Sequence, residues 1–394
     1  MRQLNARLTV VVAAVAVAAV VGGGVFAYRQ GPQASDTSAS PLGGQPSQTP
    51  TPTPKPSATP SRTPSATPTA TPSAPPVTGV PVTGPKKITV NLAKLSEGRP
   101  PQLVHTLGRT ISGGPEQAYS MPGNARILSA AQVGGWTYAL ESREPDLVLV
   151  RDDGAGGRTE IRDISTLVGS VDDGAVAYAS QQQKPNGEEL AGSTVYADVG
   201  SDRSKLALPD AWHVQVIAVA AGKVFYSAGT SQSGPTRLYT WVPGRSGATL
   251  VKGVATPTAV SADGKLAGSI DSIGEAGSCS FVIEIATGKK LWRTCQHMVM
   301  GFTPDKSAVI AGPAYADGYA SMGSWLLDGK TGKLLREWNG VSFRQVRAED
   351  DQHLLMEVDD GPDTKGAIIR CTIGTGDCER ATPIMPNDQF RLGG

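Results

Sequence analysis

The chain has 394 residues, 47 of them Gly and 30 Pro, few aromatics and a formal charge of +1. After residue 86 acids slightly outnumber bases and no basic stripe is present, which excludes the electrostatic footprint of a DNA- or RNA-binding protein. β-branched residues dominate the apolar stretches beyond residue 87, the composition of a many-turned β protein rather than a helical one.

Arg2 and Arg7 precede an uncharged apolar run from Leu8 to Tyr28. About 20 such residues at ~1.5 Å each span a hydrocarbon core, so residues 1–30 are expected to form a single transmembrane signal-anchor. The positive-inside bias puts the N-terminus in the cytoplasm and everything after Arg29 outside the membrane. The alternative is a secretory signal cleaved near Val25-Phe26-Ala27, although the run exceeds the usual length of such a core. Either way the remainder is exported. No Cys lies near the run, so a lipoprotein anchor is not expected.

Residues 31–86 hold half of the prolines, with Ser-Ala-Thr-Pro recurring at Ser57–Pro60 and Ser65–Pro68. Such a segment buries no apolar surface and favours extended polyproline II, which gives a disordered stalk with a reach on the order of 170 Å. It is an inert spacer or an O-glycosylated, mucin-like stalk.

The globular part is assigned to residues 87–394. From residue 119 it repeats with a period of about 43 residues, the range of four-stranded propeller blades. An apolar strand, a tight polar turn and a second apolar strand occur at Gln132–Leu140, Val171–Ala179, Val219–Ser227, Val260–Ala267, Phe302–Ala311 and Ala348–Met356. A second hairpin follows about 20 residues later in each unit: Val148–Ile161, Thr194–Leu208, Leu238–Val251, Phe281–Cys295, Trp325–Trp338 and Ile368–Arg380. Two hairpins per period give an all-β chain of six four-stranded antiparallel blades, which must stack to bury both faces of each sheet. Ile88–Leu92, Leu103–Ile111 and Gln389–Leu392 supply further strands. They either complete blade six or combine into a seventh blade, and the tail beyond the sixth unit favours seven.

Ile283-Glu284-Ile285-Ala286-Thr287-Gly288-Lys289-Lys290-Leu291-Trp292 and Leu327-Asp328-Gly329-Lys330-Thr331-Gly332-Lys333-Leu334-Leu335 resemble the docking element of quinoprotein-like (PQQ-like) propellers. That resemblance implies a Thr-Gly outer turn and a Trp packed between blades. In blade five the Trp is displaced to Trp338, and in blade six Thr375-Gly376-Asp377 lacks it. The turns Ser261-Ala262-Asp263-Gly264-Lys265 and Phe302-Thr303-Pro304-Asp305 resemble those of WD40- and TolB-like propellers. The resemblance, to bacterial membrane-anchored WD40/quinoprotein-like repeat proteins, covers about residues 119–385. It implies a fold and no cofactor: the chain is too short for eight full blades and has no adjacent cysteines, so quinone binding is not expected.

Cys279 and Cys295 are equidistant from Thr287, and Cys371 and Cys378 flank a hairpin centred at Gly374-Thr375. Both spacings suit disulfides between neighbouring strands in an oxidising compartment, whereas zinc would need closer Cys-x-x-Cys pairs. No nucleophile elbow, His-Glu-x-x-His helix or phosphate loop is present, and no enzyme activity is expected. The four histidines are His105, His213, His297 and His353. His353 is expected in the core or between blades, and His105 falls in the N-terminal strand region.

In a propeller the blade-to-blade loops and the second-to-third-strand loops share one face. They place Trp212, His213, His297, Tyr315, Asp317 and Tyr319 on a candidate partner face, although ordinary solvated loops have the same composition. A metal site formed by two histidines with Asp317 has no geometric support in the sequence. These features point to a tethered extracytoplasmic module that binds an envelope protein, a glycan or a small ligand. The alternatives are a component of the envelope assembly machinery, or a hydrolase or lyase with its site in the central funnel.

Overall fold

The computed structural model describes residues 84–394 except 115, 145, 173, 185–186, 275–276, 315–320 and 362–363. The expected anchor, nearly all of the stalk, and Tyr315, Asp317 and Tyr319 lie outside the described residues. Among those described, the one helical element is the short 3-10 turn Leu92–Lys94. None of their helices is long and apolar enough to cross a membrane.

Strands run from the inside of the ring outward in chain order. Blade 1 comprises Arg126–Val133, Trp136–Arg143, Asp146–Asp152 and Arg158–Arg162, and blade 2 comprises Ile164–Gly169, Ala175–Gln183, Glu189–Val199 and Asp202–Leu208. Blade 3 is built from Trp212–Ala220, Lys223–Gly229, Arg237–Trp241 and Ala248–Ala255. Blade 4 is built from Pro257–Val260, Leu266–Gly274, Gly277–Glu284 and Lys290–Thr294.

The next sheet has nine strands because one strand serves two blades. Leu334–Ala348 closes blade 5 on the outside, against Ser321–Asp328. It then continues as the inner strand of blade 6, against His353–Asp359. The remaining blade 5 strands are His297–Phe302 and Ala308–Pro313, and blade 6 ends with Lys365–Thr372 and Cys378–Arg380. Blade 7 joins the chain ends: Phe390–Leu392 is its inner strand, followed by His105–Leu107, Thr110–Ser112 and Tyr119–Ser120. It packs against blades 6 and 1, so six hydrogen-bonded sheets make a closed ring of seven blades.

Two N-terminal expectations are corrected. Leu103–Ile111 is two strands broken at Gly108-Arg109, where Arg109 turns to bond the carbonyls of Met121 and Pro122. The first strand, Lys86–Thr89, joins neither blade 6 nor blade 7. It pairs in parallel with Arg336–Asn339 on the outer edge of blade 5. The chain then follows the rim to Glu97, which bridges to Arg380 of blade 6, before entering blade 7.

Alternating apolar residues of facing sheets fill the spaces between blades. Val195, Val214, Val224 and Trp241 pack between blades 2 and 3, and Val282, Val299, Val309 and Leu327 pack between blades 4 and 5. The outer strand of blade 1 is almost wholly exposed, as expected where no further sheet covers it.

The tryptophans take the interblade positions that the docking resemblance implied. Trp292 Nε1 donates to the Gly329 carbonyl of the next blade at 2.9 Å, and Trp338 Nε1 donates to Gly376 at 3.1 Å. Gly332 has φ +69°, and a Cβ there would lie 2.7 Å from Trp292 Cε3. Backbone sign and close approach therefore both require glycine at the turn. The expected cysteine pairs are disulfides: Cys279–Cys295 at the upper end of blade 4 and Cys371–Cys378 at the lower end of blade 6.

Candidate functional site

The upper face carries the blade-to-blade connections and the loops between second and third strands. Trp212 and His213 open the inner strand of blade 3, both half-buried, with ring centroids 6.4 Å apart. The preceding turn is tied to blade 2, since Gly192 N–H donates to the Ala211 carbonyl at 3.0 Å. Buried Gln181 reinforces this seam. Its Oε1 accepts from Ser193 Oγ at 2.7 Å and from Val214 N–H at 3.3 Å, while Nε2 donates to Leu190 at 2.6 Å.

On this frame His213 adopts φ 52°, a left-handed conformation that costs a residue with a Cβ about 1–2 kcal/mol. Three polar contacts hold it there. Its N–H donates to Glu189 Oε1 at 2.5 Å, its Nδ1 lies 2.6 Å from Glu189 Oε2, and its Nε2 lies 2.6 Å from the Gln232 carbonyl. The hydrogen bond that the ring donates to the Glu189 carboxylate pushes the imidazole above the ordinary histidine value, against the opposing effect of burial. His213 thus joins the blade 2 hairpin to the Thr230–Thr236 loop of blade 3, with Trp212 beside it.

His297 opens the inner strand of blade 5, two residues after the Cys279–Cys295 disulfide. Its carbonyl accepts from Ser280 Oγ at 3.0 Å, and its ring lies 5.1 Å from that of Trp325. Nδ1 is buried without a partner among the described residues, and burial pushes the imidazole below its ordinary value. Burial thus favours the neutral form of His297. No hydrogen bond or ring contact among the described residues joins it to His213.

The lower face holds a groove that sequence reasoning missed, a cavity of about 550 Å³ lined by Ser96, Arg99, His353, Arg370, Thr372 and Glu379, among others. Arg370 is buried and binds Glu349 through Nε and Nη2, Glu379 at 2.8 Å, and the carbonyls of Arg99 and Pro100, each at 2.8 Å. Burial pushes the Glu349 carboxyl up. The Arg370 hydrogen bonds, the Gln102 N–H and the charges of Arg370 and Arg99 outweigh this and hold it below its usual value.

His353 corrects its expected place in the core or between blades. It is half-buried at the mouth of this groove, with Nδ1 3.0 Å from Asp350 Oδ1. Ligand atoms of Glu349, Asp350 and His353 lie within 4.8 Å of one another, but the Glu349 oxygens already accept from Arg370 and Gln102. A cation there would also sit beside two guanidinium groups. The donor set is that of a structural lock on the N-terminal strap. Nothing in the sequence flags it, because Arg99 and Glu349 are 250 positions apart. His105 is buried, with Nδ1 3.0 Å from the Leu103 carbonyl.

Along the inner strands, Gly394 N–H donates to Ala130 of blade 1 at 3.1 Å, and its carbonyl accepts from Gly169 of blade 2 at 2.8 Å.

No family model and no curated protein matches the chain. Solved structures with a similar fold include an uncharacterised protein of Listeria monocytogenes, 9% identical with a TM-score of 0.45, covering 68% of this chain and 86% of that one. Another is prolyl oligopeptidase B from Galerina marginata, 11% identical with a TM-score of 0.46, covering 67% of this chain and 43% of the oligopeptidase. The β-propeller domain of the Trilobed protease from Pyrococcus furiosus is 8% identical with a TM-score of 0.42, covering 66% and 98%. Likenesses this distant transfer no activity, and the strand pairing alone establishes the ring.

Proposed function

We propose that the protein is an extracytoplasmic binding module, tethered by residues 1–30, carried on the stalk 31–86, and presenting the upper face of its propeller to an envelope protein or a glycan. The observation that carries this reading is the Trp212–His213 corner. A half-buried aromatic and two polar hairpin loops are held in one display by Glu189, Gln181 and Gln232. Rigid aromatic anchors within a polar surround are what recognition surfaces use. The lower groove offers less, because its buried charges are spent on holding the strap. The two disulfides support export, since such bonds persist in oxidising compartments.

The test uses the full-length chain in its native membrane. A membrane-impermeant amine reagent applied to intact cells should label the exposed propeller lysines, Lys265 and Lys289 among them. Labelling only after lysis would overturn the topology. Trp212→Ala should weaken binding to the partner at least about tenfold while the ring stays folded. Unchanged affinity would move the site away from this corner.

A further inference from the structure

We infer that His213 is a pH-operated clasp, doubly protonated when closed, that joins the start of the Glu189–Val199 strand of blade 2 to the upper-face loop 230–236 of blade 3. The clasp stands on the two acceptors that face its ring nitrogens; its consequence for recognition rests on the upper-face reading above.

The two ring nitrogens face atoms that accept and do not donate. Nδ1 lies 2.6 Å from a Glu189 carboxylate oxygen, and Nε2 lies 2.6 Å from the main-chain carbonyl of Gln232. A neutral imidazole carries one N–H and satisfies one of them, leaving a lone pair against a lone pair at the other. Both contacts are made only when the His213–Glu189 pair holds one proton beyond neutral imidazole plus carboxylate. Glu189 also accepts from His213 N–H at 2.5 Å, so the same carboxylate supports the left-handed backbone that aims the ring.

Few other charges face the clasp. The adjoining blade 2 hairpin carries the Lys184–Glu188 pair at 2.9 Å and Glu189 itself. The turn before the blade 3 strand contributes Asp210, whereas neither that strand (Trp212–Ala220) nor the facing loop (Thr230–Thr236) has a further ionisable side chain. Glu189 is the group whose charge raises the proton affinity of His213.

The sign follows from that direction. A histidine whose folded value is raised stabilises the closed form fully below its ordinary value of about 6.5, and this stabilisation is lost as pH rises through the raised value. Acidic surroundings therefore close the clasp. Alkaline ones release Glu189 at the start of its blade 2 strand and the 230–236 loop of blade 3, and with them the setting of Trp212.

With four histidines in the chain, imidazole ¹⁵N spectra of the full-length protein in detergent, recorded across pH 5–9, resolve His213 by its absence in His213→Gln. Amide exchange at residues 189–192 and over the loop 230–236, corrected for its intrinsic pH dependence, is followed in parallel. The expected result is titration above the ordinary histidine value, with both ring nitrogens protonated below it. Loop protection should fall about tenfold or more through the same midpoint. Glu189→Gln should lower the midpoint, and His213→Gln should abolish the pH dependence. Should His213→Gln fail to fold, the wild-type titration and Glu189→Gln still decide. A midpoint at or below the ordinary value, or loop protection indifferent to it, overturns the clasp. A titrating clasp whose opening leaves partner affinity unchanged preserves this inference and removes the upper-face reading instead.

Discussion

Replacing Arg370 by Met should detach the N-terminal strap from blade 6. The side chains of Arg370 and Glu349 are 3% and 0% exposed, so neither charge falls back on water when its partner is removed. Arg370→Met deletes both bonds to Glu349, the bond to Glu379, and the two that hold the carbonyls of Arg99 and Pro100. Removing one member of a buried pair costs about 3–5 kcal/mol, and Glu349→Leu alone should cost a similar amount. The double variant strands no buried charge, since Glu379 is partly exposed, and should lose clearly less than the sum of the singles.

Urea unfolding of the four proteins gives the coupling, and trypsin cleavage after Lys94 reports strap release. Glu349 adds a pH signature, because its folded-state carboxyl lies below the ordinary value. Its contribution is present above an unfolded value of about 4.3 and disappears as pH falls through the folded one. Arg370→Met should therefore flatten the acid limb of the stability curve. A single-variant loss below about 1 kcal/mol with no coupling, the behaviour of an exposed pair, would refute the reasoning.

Gly332→Ala should destabilise by about 2–5 kcal/mol, combining the left-handed backbone with overpacking against Trp292. Gly222→Ala is the comparison, having the same φ of +69° and nothing within 4 Å; it should cost only about 1–2 kcal/mol, and equal unfolding midpoints would contradict the docking geometry. Reducing the disulfides should cost about 2–3 kcal/mol each from loop closure, somewhat more for the separation of 16 than for that of 7. Melting of Cys→Ser pairs measures this, and no change in either would show that the bridges do not constrain the unfolded chain.

The blades were legible because each is written locally. At Ser261–Leu266, for example, the turn is fixed by Ser261 and Asp263, 2.8 Å apart, with glycine at φ +68°. The cysteine pairs were legible for the same reason, lying opposite each other across single hairpins. The strap was not, because Lys86–Thr89 has no hairpin partner and its register depends on a strand some 250 residues away. Arg336 also holds the strap, reaching the Gly84 carbonyl at 2.7 Å with its side chain buried. Blade phase alone puts His213 at the junction between blades 2 and 3, where its strand begins. Its bond to Glu189 joins two blades, and no periodicity carries the charge pairing between them.

Photocrosslinking in living cells tests the central claim most directly. A photoreactive amino acid placed in turn at Gln232 and Met322 on the upper face, and at Lys265 and Lys289 on the lower, samples exposed positions only. A binding module of the kind proposed gives a discrete crosslinked species from the upper positions, lost with Trp212→Ala, and none from the lower pair. Crosslinks confined to the lower positions, or indifferent to Trp212, would contradict the account.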